Sequence, residues 1–525
     1  MQTGYFSLVL HCHLPFVRHP EHDRFFEENW LFEAVTECYL PLLEVMEGLQ
    51  ADGVPLHATV SVSPPLCEML TDELLQKRCG RYVSRRIELM EDELHRRRGT
   101  DFEDAARTYY RHFRRLDRTY GEEAGRSFID GLRRLQEEGD IEVITSAATH
   151  ALLPLLDDPR TIAAQVEQGC RCYRRHFGRR PRGLWLPECG WDPHLEGVLA
   201  QAGVEFSFLE CHGLLMADPP PVHGLFAPLI TPSGVAMFGR DVESSKQVWS
   251  GDEGYPGDFH YREFHRDLGY DAPYDYIEPY LDTFGERHGL GIKYHRVTGE
   301  VALQEKEPYC PETGRARAKQ HAQHFVSERV RQVNEVGREI GRPPVIVSPY
   351  DAELFGHWWY EGPFFLDAVF RRLAETPEVQ PVTPVGYLDE NPVQQKSIPA
   401  TSSWGFEGYF DVWVNGDNDW IQPRLEDAEE AMLHLASGYT DPTELEERAM
   451  DQCARELMLA QSSDWPFLIT TDGAADYARR RVEEHLENFW RLHDELKNDS
   501  VAETFLKALE GRDNLFPDVT YRLYE

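Results

Sequence analysis

Gly183-Leu184-Trp185-Leu186-Pro187-Glu188-Cys189-Gly190-Trp191 is a short apolar run that stops at a proline and a carboxylate, then a glycine. A run of this kind reads as a buried strand leaving a sheet into a loop. The same construction recurs at Val345-Ile346-Val347-Ser348-Pro349-Tyr350-Asp351-Ala352-Glu353-Leu354-Phe355-Gly356-His357-Trp358-Trp359-Tyr360. Working outward, five more runs rich in β-branched or aromatic residues read as strands: Tyr5–Leu10, His57–Val62, Ile141–Ile144, Phe206–Leu209 and Val235–Phe238. Helix-like segments such as Leu31–Leu49 and Thr161–Phe177 separate several of them. Strand–helix alternation predicts an α/β fold with parallel strands and outer helices, and about seven strands favour a seven-stranded (β/α) barrel over an open sheet.

Two stretches interrupt the alternation. Thr71–Gly139 is charged and helix-rich and reads as an inserted helical subdomain, residues 71–139. Gly239–Gly299 is rich in Gly, Tyr, Asp and Pro with little periodicity; a loop of that length in a compact domain points to function. Beyond about Ala400 the pattern changes to successive amphipathic helices, Leu425–Ser437, Pro442–Ser462 and Ala474–Leu496. The expected organisation is a catalytic domain over 1–400 and a C-terminal all-helical domain over 401–525 that contributes to the substrate groove.

The chain has 525 residues, 41% of them hydrophobic, and a formal net charge of -37. That charge repels phosphate, so neither nucleic acid nor an anionic membrane surface is an expected partner. No apolar run reaches the roughly 18 residues of a membrane span. Met1-Gln2-Thr3-Gly4-Tyr5 lacks a basic stretch followed by a long apolar one, which gives no sign of a secretory signal. Ten scattered cysteines, with Cys170 and Cys172 the only close pair, fit a reduced, cytoplasmic protein; no second pair completes a zinc spacing. Cys12 and Cys189, although inside motifs, read as small packing residues.

Three constellations carry chemistry. His11 and His13 stand two apart at the end of the first strand and project to the same face. They are ordinary packed histidines, hydrogen-bonding groups or a metal pair. Glu188 stands between Trp185 and Trp191 at a strand exit, the setting of a sugar site in which aromatic faces stack on pyranose C–H groups. Asp351 closes another apolar strand, with Glu353 two residues on. Two carboxylates from two parallel strands meet the requirement for glycosyl transfer, and aromatic neighbours raise one of them for general acid work. Asp351 lies nearer its strand exit and is the preferred partner of Glu188. No Gly-rich phosphate loop and no nucleophile elbow is present.

Taken together, five motifs in order resemble glycoside hydrolase family 57, and within it look most like the 1,4-α-glucan branching enzymes. They are His11-Cys12-His13-Leu14-Pro15, Thr149-His150-Ala151-Leu152-Leu153-Pro154-Leu155, Trp185-Leu186-Pro187-Glu188, Tyr350–Trp359, and the positions Trp404, Trp413 and Asp464-Trp465. The resemblance implies a seven-stranded barrel, an α-glucan substrate and a retaining mechanism with no metal or organic cofactor. It makes Glu188 the nucleophile and Asp351 the general acid/base. It further implies that His11, His13, Trp30, His150, Arg262, Tyr270, Trp404, Trp413 and Asp464 bind substrate. A mobile loop ending in a tyrosine is also implied; the corresponding stretch, Pro232–Arg240, holds no tyrosine and offers Phe238 instead. The alternatives are an α-amylase or 4-α-glucanotransferase on the same scaffold. More remote are a zinc-dependent carbohydrate deacetylase or mannosidase, and a non-catalytic glucan-binding protein.

Overall fold

The computed structural model describes residues 4–251, 253–281, 285–439 and 441–525. Residues 1–3, at the start of the stretch read for a signal, lie outside the described residues. Each apolar run of the sequence is a strand: β1 Gly4–Cys12, β2 Ala58–Val62, β3 Ile141–Ser146, β4 Leu184–Trp185, β5 Phe206–Leu209, β7 Ala236–Gly239 and β8 Val345–Asp351. Every residue of β2, β3, β4, β5 and β7 is buried, as expected of parallel strands covered on both faces. The strands run in parallel register in the order β8–β1–β2–β3–β4. A parallel bridge from Gly183 to Phe206 carries the row to β5, which pairs with β7. The Asp241 N–H, just past β7, donates to the Val347 carbonyl of β8 at 2.8 Å. Three short strands decorate the row: β6 (Leu229–Ile230) antiparallel to β7, β9 (Val379–Pro381) beside β1, and β10 (Gln395–Lys396) beside β6.

The register decides where the chemistry lies. His11 on β1 pairs with Ser61 on β2 and with Asp351 on β8. The C-terminal ends of three adjacent strands therefore converge on one spot.

Between β2 and β3 the chain forms four helices, Pro64–Thr71, Glu73–Arg96, Glu103–Tyr120 and Ala124–Glu138. The second starts at Asp72, whose carboxylate accepts the Leu75 N–H at 3.0 Å. The stretch 239–299 has more local order than its composition suggests: helices Val242–Trp249, Leu268–Asp271 and Tyr274–Ile277 lie within it. These are too short to impose a visible 3.6-residue period. The buried Asp267 carboxylate gathers the segment by accepting the N–H groups of Gly269, Leu290 and Gly291 at 2.7–3.0 Å. Pro232–Arg240, matched above to a mobile loop, is instead the turn from β6 and strand β7, with Val235–Gly239 buried. Strand residues locked in the sheet on both sides cannot serve as that loop.

C-terminal helices Ile421–Gly438, Glu444–Ala460, Asp464–Thr471, Ala475–Lys497 and Glu503–Arg512 follow, the second opened by a Thr443/Glu446 capping box. Their apolar faces join the same core cluster as β1 and its flanking helices. The connection before Asp464–Thr471 thereby lies against the strand ends. Among the described residues no helix is long and apolar enough to cross a membrane, and all ten cysteines are free thiols.

Candidate active site

Glu188 leaves β4 in a left-handed conformation, φ 61° and ψ 21°, unusual for a residue with a Cβ. Its carboxylate takes two hydrogen bonds. Trp404 Nε1–H donates to Oε2 at 2.8 Å and Ser463 Oγ–H donates to Oε1 at 2.9 Å. The backbone adds a third tie, from Trp404 N–H to the Glu188 carbonyl at 3.0 Å. Burial pushes the Glu188 pKa above the ordinary value, and the two donors oppose that rise.

Asp351 ends β8 beside His11. Burial, and then the charges of Glu353 and Glu188, push its pKa well above the carboxylate range; His13 and Arg240 oppose this. Glu353 is engaged elsewhere by hydrogen bonds. It accepts the backbone N–H of His13 at 3.1 Å and the hydroxyl of Tyr39. Tyr39 comes from a π-helical segment, Ala34–Tyr39, a rare form that recurs at functional sites. The following turn approaches this segment so closely that a Cβ on Gly356 (φ 114°) would lie 1.9 Å from the Glu37 carbonyl oxygen. Only glycine fits there.

His11 and His13 project together, and two serines of β2 and its exit match them. Ser61 Oγ meets His11 Nδ1 at 3.0 Å and Ser63 Oγ meets His13 Nδ1 at 2.8 Å. His11 Nε2 meets His150 Nε2 at 3.0 Å, and His150 Nδ1 meets Ser463 Oγ at 2.9 Å. His13 Nε2 lies 3.0 Å from Asp464, which also accepts from Ser462 Oγ. The rings stack, His13 on His150 at 3.8 Å and His11 on Trp185 at 4.5 Å.

The donor and acceptor inventory fixes the proton positions. Ser463 spends its hydrogen on Glu188, so His150 Nδ1–H must donate to Ser463. Burial, reinforced by the charge of His13, holds His150 and His11 well below their ordinary pKa and keeps both neutral. A neutral His150 then accepts at Nε2 from His11 Nε2–H, and His11 Nδ1 accepts from Ser61. The result is one directed chain, Ser61 to His11 to His150 to Ser463 to Glu188, every donor pointing towards the carboxylate. His13 stands outside it: burial pulls its pKa down, but Asp464, Glu188 and Glu353 outweigh this and raise it. When protonated, the state its carboxylate neighbours favour, His13 donates to both Ser63 and Asp464.

His13, His150 and Asp464 have ligand atoms within 4.8 Å of one another, close enough for a cation. In the hydrogen-bonded state just described, no lone pair on these imidazoles faces open space.

The structure brings His11, His13, His150, Trp404 and Asp464 to Glu188 and Asp351. Trp30, partly buried against the core, stands edge-on to Tyr477 at 6.0 Å, which in turn meets Trp465 at 6.2 Å. Tyr270 is 56% exposed and makes no hydrogen bond or ring contact with that cluster among the described residues. Two placements need correction. Arg262, expected in the groove, has a side chain only 1% exposed; it donates to the His357 carbonyl, bonds Tyr109, pairs with Glu37 and lies over Tyr360. Trp413 is buried, its ring filling the space beside Gly405. Both stand behind the surface because a motif position fixes a place in the chain and says nothing of the side a side chain faces.

Ser61, Ser63 and Ser463 escaped the sequence reading, as did Tyr39 and Ser462. The two β2 serines carry a findable signal, since Ser61-Val62-Ser63 repeats the two-residue spacing of His11-Cys12-His13 on the adjoining strand. Ser463 carries none beyond its place next to Asp464.

Residues 7–400 match the model of glycosyl hydrolase family 57, and residues 424–524 match that of the 1,4-alpha-glucan branching enzyme C-terminal region. The 1,4-alpha-glucan branching enzyme TK1436 of Thermococcus kodakarensis is 36% identical over 99% of this chain and 78% of its own length. Its crystal structure superposes with a TM-score of 0.89, at 37% identity, covering 99% of this chain and 96% of the other. The crystal structure of the novel alpha-amylase AmyC from Thermotoga maritima superposes with a TM-score of 0.92, at 39% identity, covering 100% and 99%. On the family model, the near-full-length identities and the common fold, the chain belongs to glycosyl hydrolase family 57.

Proposed function

We propose that the protein is a 1,4-α-glucan branching enzyme working through a covalent, retaining mechanism. The observation that carries the mechanism is the division of labour between two neighbouring carboxyls: Trp404 and Ser463 donate to Glu188 and favour its charged form, whereas burial and the charges around Asp351 favour its protonated form. The substrate class rests on the branching-enzyme relative and the branching-enzyme C-terminal model.

In the first step Glu188 attacks the anomeric carbon of an α-1,4 link. The C1–O4 bond breaks, and Asp351 gives its proton to the leaving 4-oxygen. In the second step Asp351, now a carboxylate, takes the proton of an acceptor 6-hydroxyl. That oxygen attacks C1, and the bond to Glu188 breaks. The directed hydrogen-bond chain keeps a donor on Glu188 throughout, which favours the carboxylate as leaving group. Protonated His13 with Asp464, and the Trp404 ring beside them, bind sugar hydroxyls and a pyranose face in this reading; Tyr270 and Trp30 belong to the outer groove. His13, His150 and Asp464 act as hydrogen-bonding groups without a metal. The parallel row of strands is read as a closed (β/α)7 barrel, with 1–400 as the catalytic domain, 71–139 as its helical insertion and 401–525 as the C-terminal domain.

The test is to incubate the protein with amylose and follow α-1,6 linkages by proton NMR alongside reducing ends. Branches with few new reducing ends support the proposal. Steady release of reducing sugar with no α-1,6 signal establishes the second reading, an α-amylase, which the similarity to AmyC favours.

A further inference from the structure

A second group of metal-ligating side chains lies away from the catalytic carboxylates, between helices Pro64–Thr71 and Pro159–Phe177. Cys172 and His176 stand four residues apart on one helix, hence on one face. Cys67 and Glu68 are adjacent on the other. Cys172 Sγ lies 3.1 Å from Glu68 Oε1, and His176 Nε2 lies 3.1 Å from the same oxygen. The Cys67 thiol is near enough to Cys172 to help raise its pKa, and Cys67 and Cys172 are both buried. All three ligand atoms of Glu68, Cys172 and His176 fall within 4.8 Å of one another.

We propose that Cys67, Glu68, Cys172 and His176 form a tetrahedral site for a thiophilic divalent cation of the zinc type. The donor set is two sulfurs, one imidazole and one carboxylate, the mixture such a cation selects. With metal–sulfur bonds of about 2.3 Å and metal–nitrogen or –oxygen bonds of about 2.1 Å, ligand atoms sit about 3.4–3.6 Å apart. The observed separations lie a few tenths of an ångström inside that, so small side-chain adjustments admit the ion. Arg175 also touches Glu68, but its other nitrogen is already on Asp518, so it stays paired when Glu68 turns to the metal. Binding displaces one proton from each thiol into solvent, together with the proton that Cys172 and Glu68 favour on the His176 imidazole, with no change of oxidation state. The pairs are 104 and 108 positions apart in the chain, so no local spacing announces them. A bound ion would clamp the helix after β2, which begins next to Ser63, to the helix that follows the His150 loop. The other buried candidate, Glu456, His485 and Asp513, is unlike it in containing no cysteine.

The full-length protein, dialysed against chelator, is titrated with Zn2+ alone and with Co2+ alone. The expected result is one metal per chain by elemental mass spectrometry and a thiolate-to-cobalt charge-transfer band. The His13–His150–Asp464 group has no sulfur and cannot produce that band. His150→Ala should leave it intact, whereas Cys172→Ser should remove it. His176→Gln, a partly exposed position used if Cys172→Ser fails to fold, should weaken Zn2+ binding roughly tenfold or more. Cobalt bound without the charge-transfer band, zinc affinity unmoved in His176→Gln, no stoichiometric binding, or a Cys67–Cys172 disulfide in protein purified without reductant would each overturn the proposal.

Discussion

Trp404 grips Glu188 twice, by its indole N–H on the carboxylate at 2.8 Å and by its backbone N–H on the carbonyl at 3.0 Å. One tryptophan thus orients both the acid group and the left-handed backbone that presents it. Trp404→Phe keeps an aromatic face but removes the side-chain donor. Since that donor lowers the Glu188 pKa, its loss raises it. The acid limb of the pH profile of kcat/KM should move to higher pH, and kcat should fall about ten- to a hundredfold. An unmoved limb would sever this link.

Glu188→Gln should reduce activity by at least roughly a thousandfold while circular dichroism and oligoglucan binding persist, because the amide fills the same space and cannot form the glucosyl ester. Retained turnover would end the nucleophile assignment.

Activity should follow a bell-shaped pH dependence. It falls on the acid side as Glu188 gains a proton and on the alkaline side as Asp351 loses one. Arg240 depresses the Asp351 pKa, so Arg240→Gln should carry the alkaline limb upward. A downward move would contradict the electrostatic account.

Asp351→Asn should abolish activity yet raise Tm. The Asp351 pKa is higher in the folded chain than in the unfolded one, so its contribution to stability is present at low pH and lost as pH rises through the folded value. At neutral pH an amide avoids that cost, and Tm should rise by about 1–3 °C. At a pH below the unfolded value the difference should vanish, which calorimetry at two pH values reads directly.

Trp413→Ala should act on stability rather than on transfer. The ring is buried and its removal leaves a cavity, worth about 3–5 kcal/mol in a well-packed core. The residual folded enzyme should keep the wild-type ratio of transfer to hydrolysis. A changed ratio with unchanged Tm would place Trp413 in the groove after all.

The strands were legible because each is buried on both faces, so β2, β3 and β8 read as apolar runs with no competing period. Glu188 and Asp351 stood out as carboxylates closing such runs. The local order around Asp267 was not legible, since its helices are shorter than the pattern that reveals a helix. Ser463 was hidden for a different reason: it lies 275 positions from the carboxylate it serves, and only the fold makes them neighbours. Arg262 and Trp413 show the converse failure, in which a motif names the right neighbourhood and the fold turns the side chain inward.

The reliance of Glu188 on Trp404 and Ser463 also has a bearing on biosynthesis. A growing polypeptide acquires both acidic groups well before it acquires the segment that tunes one of them. Until that late segment emerges from the ribosome and docks, Glu188 lacks the Trp404 and Ser463 donors and His150 lacks its Ser463 partner. On the proposed mechanism, a message cut short before Ser463 would yield a chain that holds both carboxylates without the Ser463 donor on one of them.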